Sequence, residues 1–297
     1  MSHIKRSPSR ICFDILNITL MLLIAFACLA PVWHVIMASF SDPVALNAHT
    51  GLIVRPLGEM TLEGYRMIFA AASGIIIGYR NTILYVITGV TFGTTLTILA
   101  GYVLSRKYLY WRNLIMFFLA LTMLFSGGLI PFFMVVRALG FVNTPFAVVI
   151  PGSVSVFNII IMRTAFANLP ESLEESAKID GAGQLTIMFK IMVPLAKATI
   201  AVVVLFYSIT MWNSWFNASI FLTDRNLFPL QLFLREVLIQ DDIAAVATAA
   251  EALEQVALYR SLVQYSSIVA ATLPVLFFYP FAQKHFVTGV MIGSIKG

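Results

Sequence analysis

Six stretches of this chain contain no Asp, Glu, Lys or Arg: 15–41, 81–105, 113–136, 138–162, 198–223 and 261–283. They run from 23 to 27 residues. A helix needs roughly 20 predominantly apolar residues to cross a bilayer, so each is long enough to be a span. The next longest, 67–79, is too short. Charged residues make up only 11% of the chain, against about a quarter in a soluble domain. So few charges cannot cover a water-facing surface, and most of the surface must face lipid. The pattern predicts an all-α polytopic membrane protein with six transmembrane helices. A short segment, 1–14, precedes a single transmembrane domain over 15–297.

The first run follows Lys5, Arg6 and Arg10, as a secretory signal would. A signal's apolar core is about 7–15 residues and ends at a small-residue cleavage site. This run is longer and has no clear site, so it reads as an uncleaved span.

Lys and Arg set orientation. With the N-terminus in the cytoplasm, the inner segments 1–14, 104–112, 163–197 and 284–297 hold 12 of the 19 basic residues. They hold 5 of the 14 acids, so the inner side nets +7 and the outer side −2. The formal charge of +5 is therefore a topology signal, and no nucleic-acid partner is expected. Cys12 and Cys28 fall about four turns apart along one helix, too far to pair within it. No metal-type Cys/His spacing occurs.

Two outer loops are long, 42–80 and 224–260. Each holds an amphipathic or apolar stretch, 62–72 and 243–258, expected to form a short helix at the outer membrane surface or against a partner. The second loop carries Asp241, Asp242, Glu251 and Glu254. Two readings fit it: a solvated face, or a docking surface for an external protein.

The longest inner connection is 163–197. Pro170 suits a helix start, and Glu171, Glu174 and Glu175 follow where the helix dipole favours negative charge. Gly181 suits the left-handed residue that ends many helices. Leu173, Ser176, Ala177 and Asp180 fall at i, i+3, i+4 and i+7, one small and shallow face. Ile187, Met188 and Ile191 are expected to pack on the span ends, and Pro194 to start or bend span five. On spacing alone this is either an amphipathic connector or a docking helix.

The run from Glu175 through Ser176, Ala177, Asp180 and Gly181 to Ala182, followed by 191–194 ending in Pro194, resembles the cytoplasmic "EAA" loop of permease subunits in bacterial binding-protein-dependent ABC importers. Ser176 and Val193 depart from the family's Ala and Leu, keeping small or apolar character. The C-terminal run 286–297 is similar to the tail of the smaller maltose-type permease. The stretches 127–131, 139–144, 150–153 and 162–163 resemble the oligosaccharide branch, which includes alginate-oligosaccharide importers. The resemblance implies a type I importer fold and a heterodimer with a second, homologous permease. It also implies two cytoplasmic ATPase subunits, which hold ATP and Mg, and an external solute-binding protein that delivers an oligosaccharide. No cofactor is implied in this chain, and no catalytic or metal site. The helix over about 171–181 would be the coupling helix, with Glu175 pairing to a basic residue of the ATPase. Glu175, Ser176, Ala177, Asp180, Gly181, Ala182 and Pro194 are the implied coupling residues. Gly293, Lys296 and Gly297 either reach between the ATPase subunits or fray.

Polar groups inside spans are costly and tend to face a cavity or another helix. Asn158, Tyr207, Trp212 and Asn213 are candidates for a sugar pathway, since aromatic rings stack on sugars and Asn bonds hydroxyls. Interhelical hydrogen bonding and an outer aromatic belt are the alternative. A permease for a non-sugar solute, or a secondary transporter or channel, are rival functions. The latter usually place ionisable groups within spans; here only His34 lies in one, near its outer end. The chain has no G-x-x-x-x-G-K-[ST] loop, so ATP hydrolysis is expected on a partner, and this chain is expected not to be an enzyme.

Overall fold

The computed structural model describes residues 8–70, 74–239 and 258–277, all of their regular structure helical. In chain order the helices are α1 (Pro8–Ser39), α2 (Pro43–Ala48), α3 (Glu63–Phe69), α4 (Ile75–Ser105), α5 (Arg112–Leu124), α6 (Leu129–Ala138) and α7 (Phe146–Gly152). Then follow α8 (Val156–Ala167), α9 (Glu171–Ile179), α10 (Gln184–Ile187), α11 (Val193–Leu195), α12 (Lys197–Trp212), α13 (Phe216–Phe221) and α14 (Leu230–Ile239). Residues 258–277 form a last helix, α15.

Among the described residues, α1 and α4 are each long and apolar enough to cross a membrane unbroken. Three further pairs pass that test together but bend: α5 with α6 by 116°, α7 with α8 by 45°, and the α10–α11 stretch with α12 by 84°. Counting each pair as one span gives up to five. The charge-free runs are thus real apolar stretches, but three are not single helices. The breaks of the bent pairs fall at Gly127 and Gly128, at Ser153 to Ser155 just after Pro151, and at Ala196 just after Pro194. Glycine and proline interrupt the ladder there without adding charge, so a charge count cannot see the bend.

The chain forms two compact units. In the first, α1 is exposed along nearly its whole apolar length, with Cys12 and Cys28 on its surface. Its C-terminal end is tied down by polar groups. The Ile53 N–H donates to His34 Nδ1 at 2.9 Å, which leaves the other ring nitrogen to face the Tyr265 hydroxyl at 3.4 Å. His34 is therefore a wall residue. Ser39 meets the Tyr65 hydroxyl at 2.7 Å, and Asp42 caps α2 through the Val44 and Ala45 N–H groups. The helix expected in 62–72 is α3; the one expected in 243–258 falls almost wholly outside the described residues.

The second unit is built on α4. With 31 residues it is about 46 Å long, well beyond the roughly 30 Å of bilayer hydrocarbon. Gly89, Gly93, Thr97, Gly101 and Ser105 recur every fourth position, and all are buried. In lipid no hydrophobic force drives helices together, so close backbone approach must do it. A methyl group on Gly93 would overlap the carbonyl oxygen of Ser153. One on Gly101 would sit 2.9 Å from Met162 Cβ, and one on Gly89 2.8 Å from the Met211 sulfur. One stripe thus seats both α8 and α12.

The α7–α8 break is closed by a side chain. Tyr207 of α12 is 1% exposed. Its hydroxyl meets Thr97 at 2.7 Å and accepts the Ser155 N–H at 3.0 Å. The backbone group freed by the bend is satisfied inside the protein, as membrane burial demands. Tyr207→Phe strands that N–H and is expected to cost about 1–3 kcal/mol, read as a lower thermal midpoint of the purified protein. At the other end of α4, Asn81 donates to the Asn226 and Phe228 carbonyls at 2.7 and 3.0 Å, and Tyr85 to Leu227 at 2.7 Å. These bonds fix where α14 begins.

Candidate functional site

α9 starts and stops as its residues dictate. Pro170 precedes it in extended conformation (φ −58°, ψ 129°), and Glu171 and Glu174 occupy its first turn. At its end the Ala182 N–H donates to the Ala177 carbonyl at 2.9 Å and the Gly181 N–H to that of Lys178 at 3.0 Å. This pair of bonds is a Schellman motif, which needs a left-handed residue just past the cap. Gly181 supplies it with φ 79°. The motif brings Ala177 and Ala182 together, and both pack in a cluster with Tyr102, Phe166, Ile187 and Met192. The spacing from Ala177 to Ala182 is therefore a helix stop with its apolar clasp.

The face expected from the i, i+3, i+4, i+7 spacing is divided. Ala177 turns inward and is buried, whereas Leu173, Ser176 and Asp180 stay exposed beside Glu175. Ile179 is 87% exposed. Glu175 takes no ion partner among the described residues.

Its neighbour Glu174 does the reverse. Its carboxylate meets the Arg106 guanidinium, and the two side chains are each only 8% exposed. Lys178 reaches the other carboxylate oxygen at 2.8 Å. Burial pushes the Glu174 carboxyl up, but the Lys178 hydrogen bond and the charges of Arg106 and Lys178 outweigh it, so its pKa lies below the ordinary value. Lys178 is raised in turn by its hydrogen bond to Glu174. Arg106 also donates to Ser105 Oγ at 2.8 and 2.9 Å and lies 4.7 Å over the Tyr102 ring. A second pair, Lys107–Glu171 at 2.5 Å, stands at the surface. Beside them opens a cavity of about 170 Å³, into which Glu175 also faces.

Pro194 lies just past a five-residue π turn, Met188–Met192. Lacking an N–H, it cannot donate one turn back. The ladder ahead of it widens, with the Val193 N–H on the Met188 carbonyl, and the 84° bend into α12 follows. Ile187 and Met188 are buried here, as expected, and Ile191 is partly so.

The pathway candidates do not converge on one feature. Tyr207 is the side chain that closes the α7–α8 break. Asn158 is 3% exposed, and its side chain makes no hydrogen bond among the described residues. The Trp212 indole N–H is buried without a partner there. Asn213 is exposed and turns back to the Ile209 carbonyl at 2.9 Å. Gly293, Lys296 and Gly297, and the acids Asp241, Asp242, Glu251 and Glu254, lie outside the described residues.

Two features escaped the sequence reading. Glu174 and Glu175 are indistinguishable by residue type alone, and the basic Arg106 and Lys107 just past α4 are the one signal of a partner. The fourfold stripe on α4 is legible as spacing, since small residues recur at 89, 93, 97, 101 and 105, but it carries no charge.

These observations define a class: an all-α, polytopic membrane protein that presents a short, rigidly capped helix between two of its apolar stretches. The chain belongs to the family of binding-protein-dependent transport system inner membrane components, whose pattern matches residues 93–292. It is thus a multi-pass permease component. It is 38% identical to the polygalacturonan/rhamnogalacturonan transport system permease protein YtcP of Bacillus subtilis (strain 168), over 96% of this chain and 98% of that one. It is 34% identical to protein LplC of the same organism, over 96% and 95%. Its fold is similar to the crystal structure of a bacterial ABC transporter involved in the import of the acidic polysaccharide alginate. The TM-score is 0.84 at 29% identity, over 96% of this chain and all of that one.

Proposed function

We infer that this chain is one of two homologous permeases in an ATP-driven importer for acidic oligosaccharides. The chain crosses the membrane six times with both termini in the cytoplasm. An external binding protein delivers the sugar, and two cytoplasmic ATPases, holding ATP and Mg, drive the cycle. α9 is the coupling helix and sits in a cleft of the ATPase. Glu175 meets a basic residue there, Ser176 and Asp180 line the contact, and the Ala177–Gly181–Ala182 clasp keeps the helix rigid. Pro194 and the π turn before it form the joint to span five. The tail residues Gly293, Lys296 and Gly297 reach between the ATPases. The substrate class is supported by the two similar systems above, one handling polygalacturonan and one alginate, both polymers of acidic sugars.

One observation supports the coupling role: among the described residues Glu175 stands exposed and without an ion partner, whereas Glu171 and Glu174 on the same helix pair with Lys107 and Arg106. Glu175→Lys and Gly181→Asp test it. Neither has much to break inside this chain, because a Cβ on Gly181 would meet nothing within 4 Å. The left-handed backbone there costs a non-glycine residue only about 1–2 kcal/mol. Both variants are expected to insert and fold normally, to lose the copurifying ATPase, and to abolish uptake of labelled oligogalacturonate. Uptake at the unmodified rate in either one contradicts the coupling role. Uptake of neutral oligosaccharides only contradicts the substrate class and spares the rest.

A further inference from the structure

α9 is joined to the rest of its unit by two kinds of link that differ in stiffness. Along the backbone, the way from α9 to α12 crosses two joints beyond the Gly181 clasp: the π turn Met188–Met192 and the 84° bend before Lys197. Each is a change of a few dihedrals and can give. Through side chains, the way from α9 to α4 is direct. Arg106 is the first residue past α4. It is held on one side by Ser105 and the Tyr102 ring, and on the other by Glu174. Tyr102 also donates to Gln184 at 2.8 Å, just beyond the Schellman turn.

Buried charge-assisted bonds resist stretching. Separating the partners by a few ångströms leaves two uncompensated charges in a poorly solvated place. A displacement of α9 therefore passes through Arg106 before it is absorbed by the backbone joints. α4 in turn carries the small-residue stripe that seats α8 and α12.

We propose that Arg106 and Glu174 are positioning residues: the strut through which α9 displaces the inner end of α4, so that the 75–105 helix is driven directly and α12 follows it. The proposal rests on the reading of α9 as the ATPase-docking helix.

The test uses the complete importer, with both permeases, the ATPases and the binding protein, reconstituted in lipid. R106A/E174A removes the strut and leaves neither of its two charges unpaired, and the gap opens onto the adjoining 170 Å³ cavity. The expected result is that the ATPase still copurifies and hydrolyses ATP unstimulated. Sugar imported per ATP falls roughly tenfold, within the range by which residues along a coupling route modulate it. Lys107→Cys and Glu171→Cys are then added to that double variant, with Cys12 and Cys28 replaced by serine. A short bis-thiosulfonate linker between them restores the ratio, and reductant abolishes it again. An unchanged ratio in R106A/E174A overturns the proposal, and so does a linker that restores nothing.

The same linker in the otherwise unmodified chain supplies a test that does not depend on the double variant folding. The strut makes α9 and α4 move together, so bridging them leaves transport running. Arrest of transport by the linker overturns the proposal. Absence of an ATPase from the unmodified preparation overturns the docking reading as well, which separates the two failures.

Discussion

Gly93→Leu is expected to cost about 3 kcal/mol or more, at or above the upper end for overpacked cores. The magnitude follows from what stands in the way. The first added carbon would overlap the carbonyl oxygen of Ser153, and the Tyr207 ring lies 3.3 Å from it. Ser153 belongs to the break between α7 and α8, whose geometry is held by the Tyr207 hydroxyl on the Ser155 N–H. Backbone therefore has to move, and its movement pulls out the bond that satisfies the bend. Gly89→Ala meets only the thioether of Met211, the far end of a flexible side chain, and is expected to cost less. Gly127→Ala meets nothing within 4 Å and is expected to be nearly silent. Thermal midpoints of the purified variants in lipid discs check the order. A Gly93→Leu midpoint no lower than that of Gly89→Ala would mean that the stripe on α4 does not seat the neighbouring helices.

The sequence announced some of this fold and concealed the rest for definite reasons. Apolar run length is a local property, so the stretches that can enter a membrane were legible from the absence of charge. The bends were not, because Gly127, Gly128, Pro151 and Pro194 interrupt a helix without adding charge. Pro170 and Gly181 were legible as the two ends of α9, since a helix start and a left-handed stop depend on single residues. The inward turn of Ala177 was not, because it depends on Tyr102 and Phe166 from elsewhere in the chain. Glu174 and Glu175 differ by one position, hence about 100° around the helix. That rotation alone sends one carboxylate to a buried guanidinium and the other to the surface. By residue type Tyr207 suits either a sugar-stacking ring or an interhelical hydrogen bond. Its hydroxyl proves to be engaged twice within the protein, a fact fixed by the α7–α8 bend.

The second large effect is Arg106→Ala, expected to destabilise the second unit by about 3–5 kcal/mol, as breaking one side of a buried ion pair does. The loss is less that of an attraction than of a charge left behind. Without the guanidinium, the Glu174 carboxylate stays 8% exposed with only Lys178 to balance it, and Lys178 is 42% exposed and solvated. Glu174→Ala exposes the mirror problem: Arg106 keeps Ser105 and the Tyr102 ring but no counter-charge. The double variant R106A/E174A leaves neither charge stranded and is expected to recover much of the stability that either single change loses, so the two effects are far from additive. Lys107→Ala is the comparison that isolates burial. Its partner Glu171 is 59% exposed and Lys107 itself 75%, and such a surface pair contributes about 0–1 kcal/mol. Denaturation midpoints for the four variants decide the matter. If R106A and E174A simply add in the double variant, the pair is not a coupled buried unit, and α9 is held to α4 by the Ala177 contacts alone.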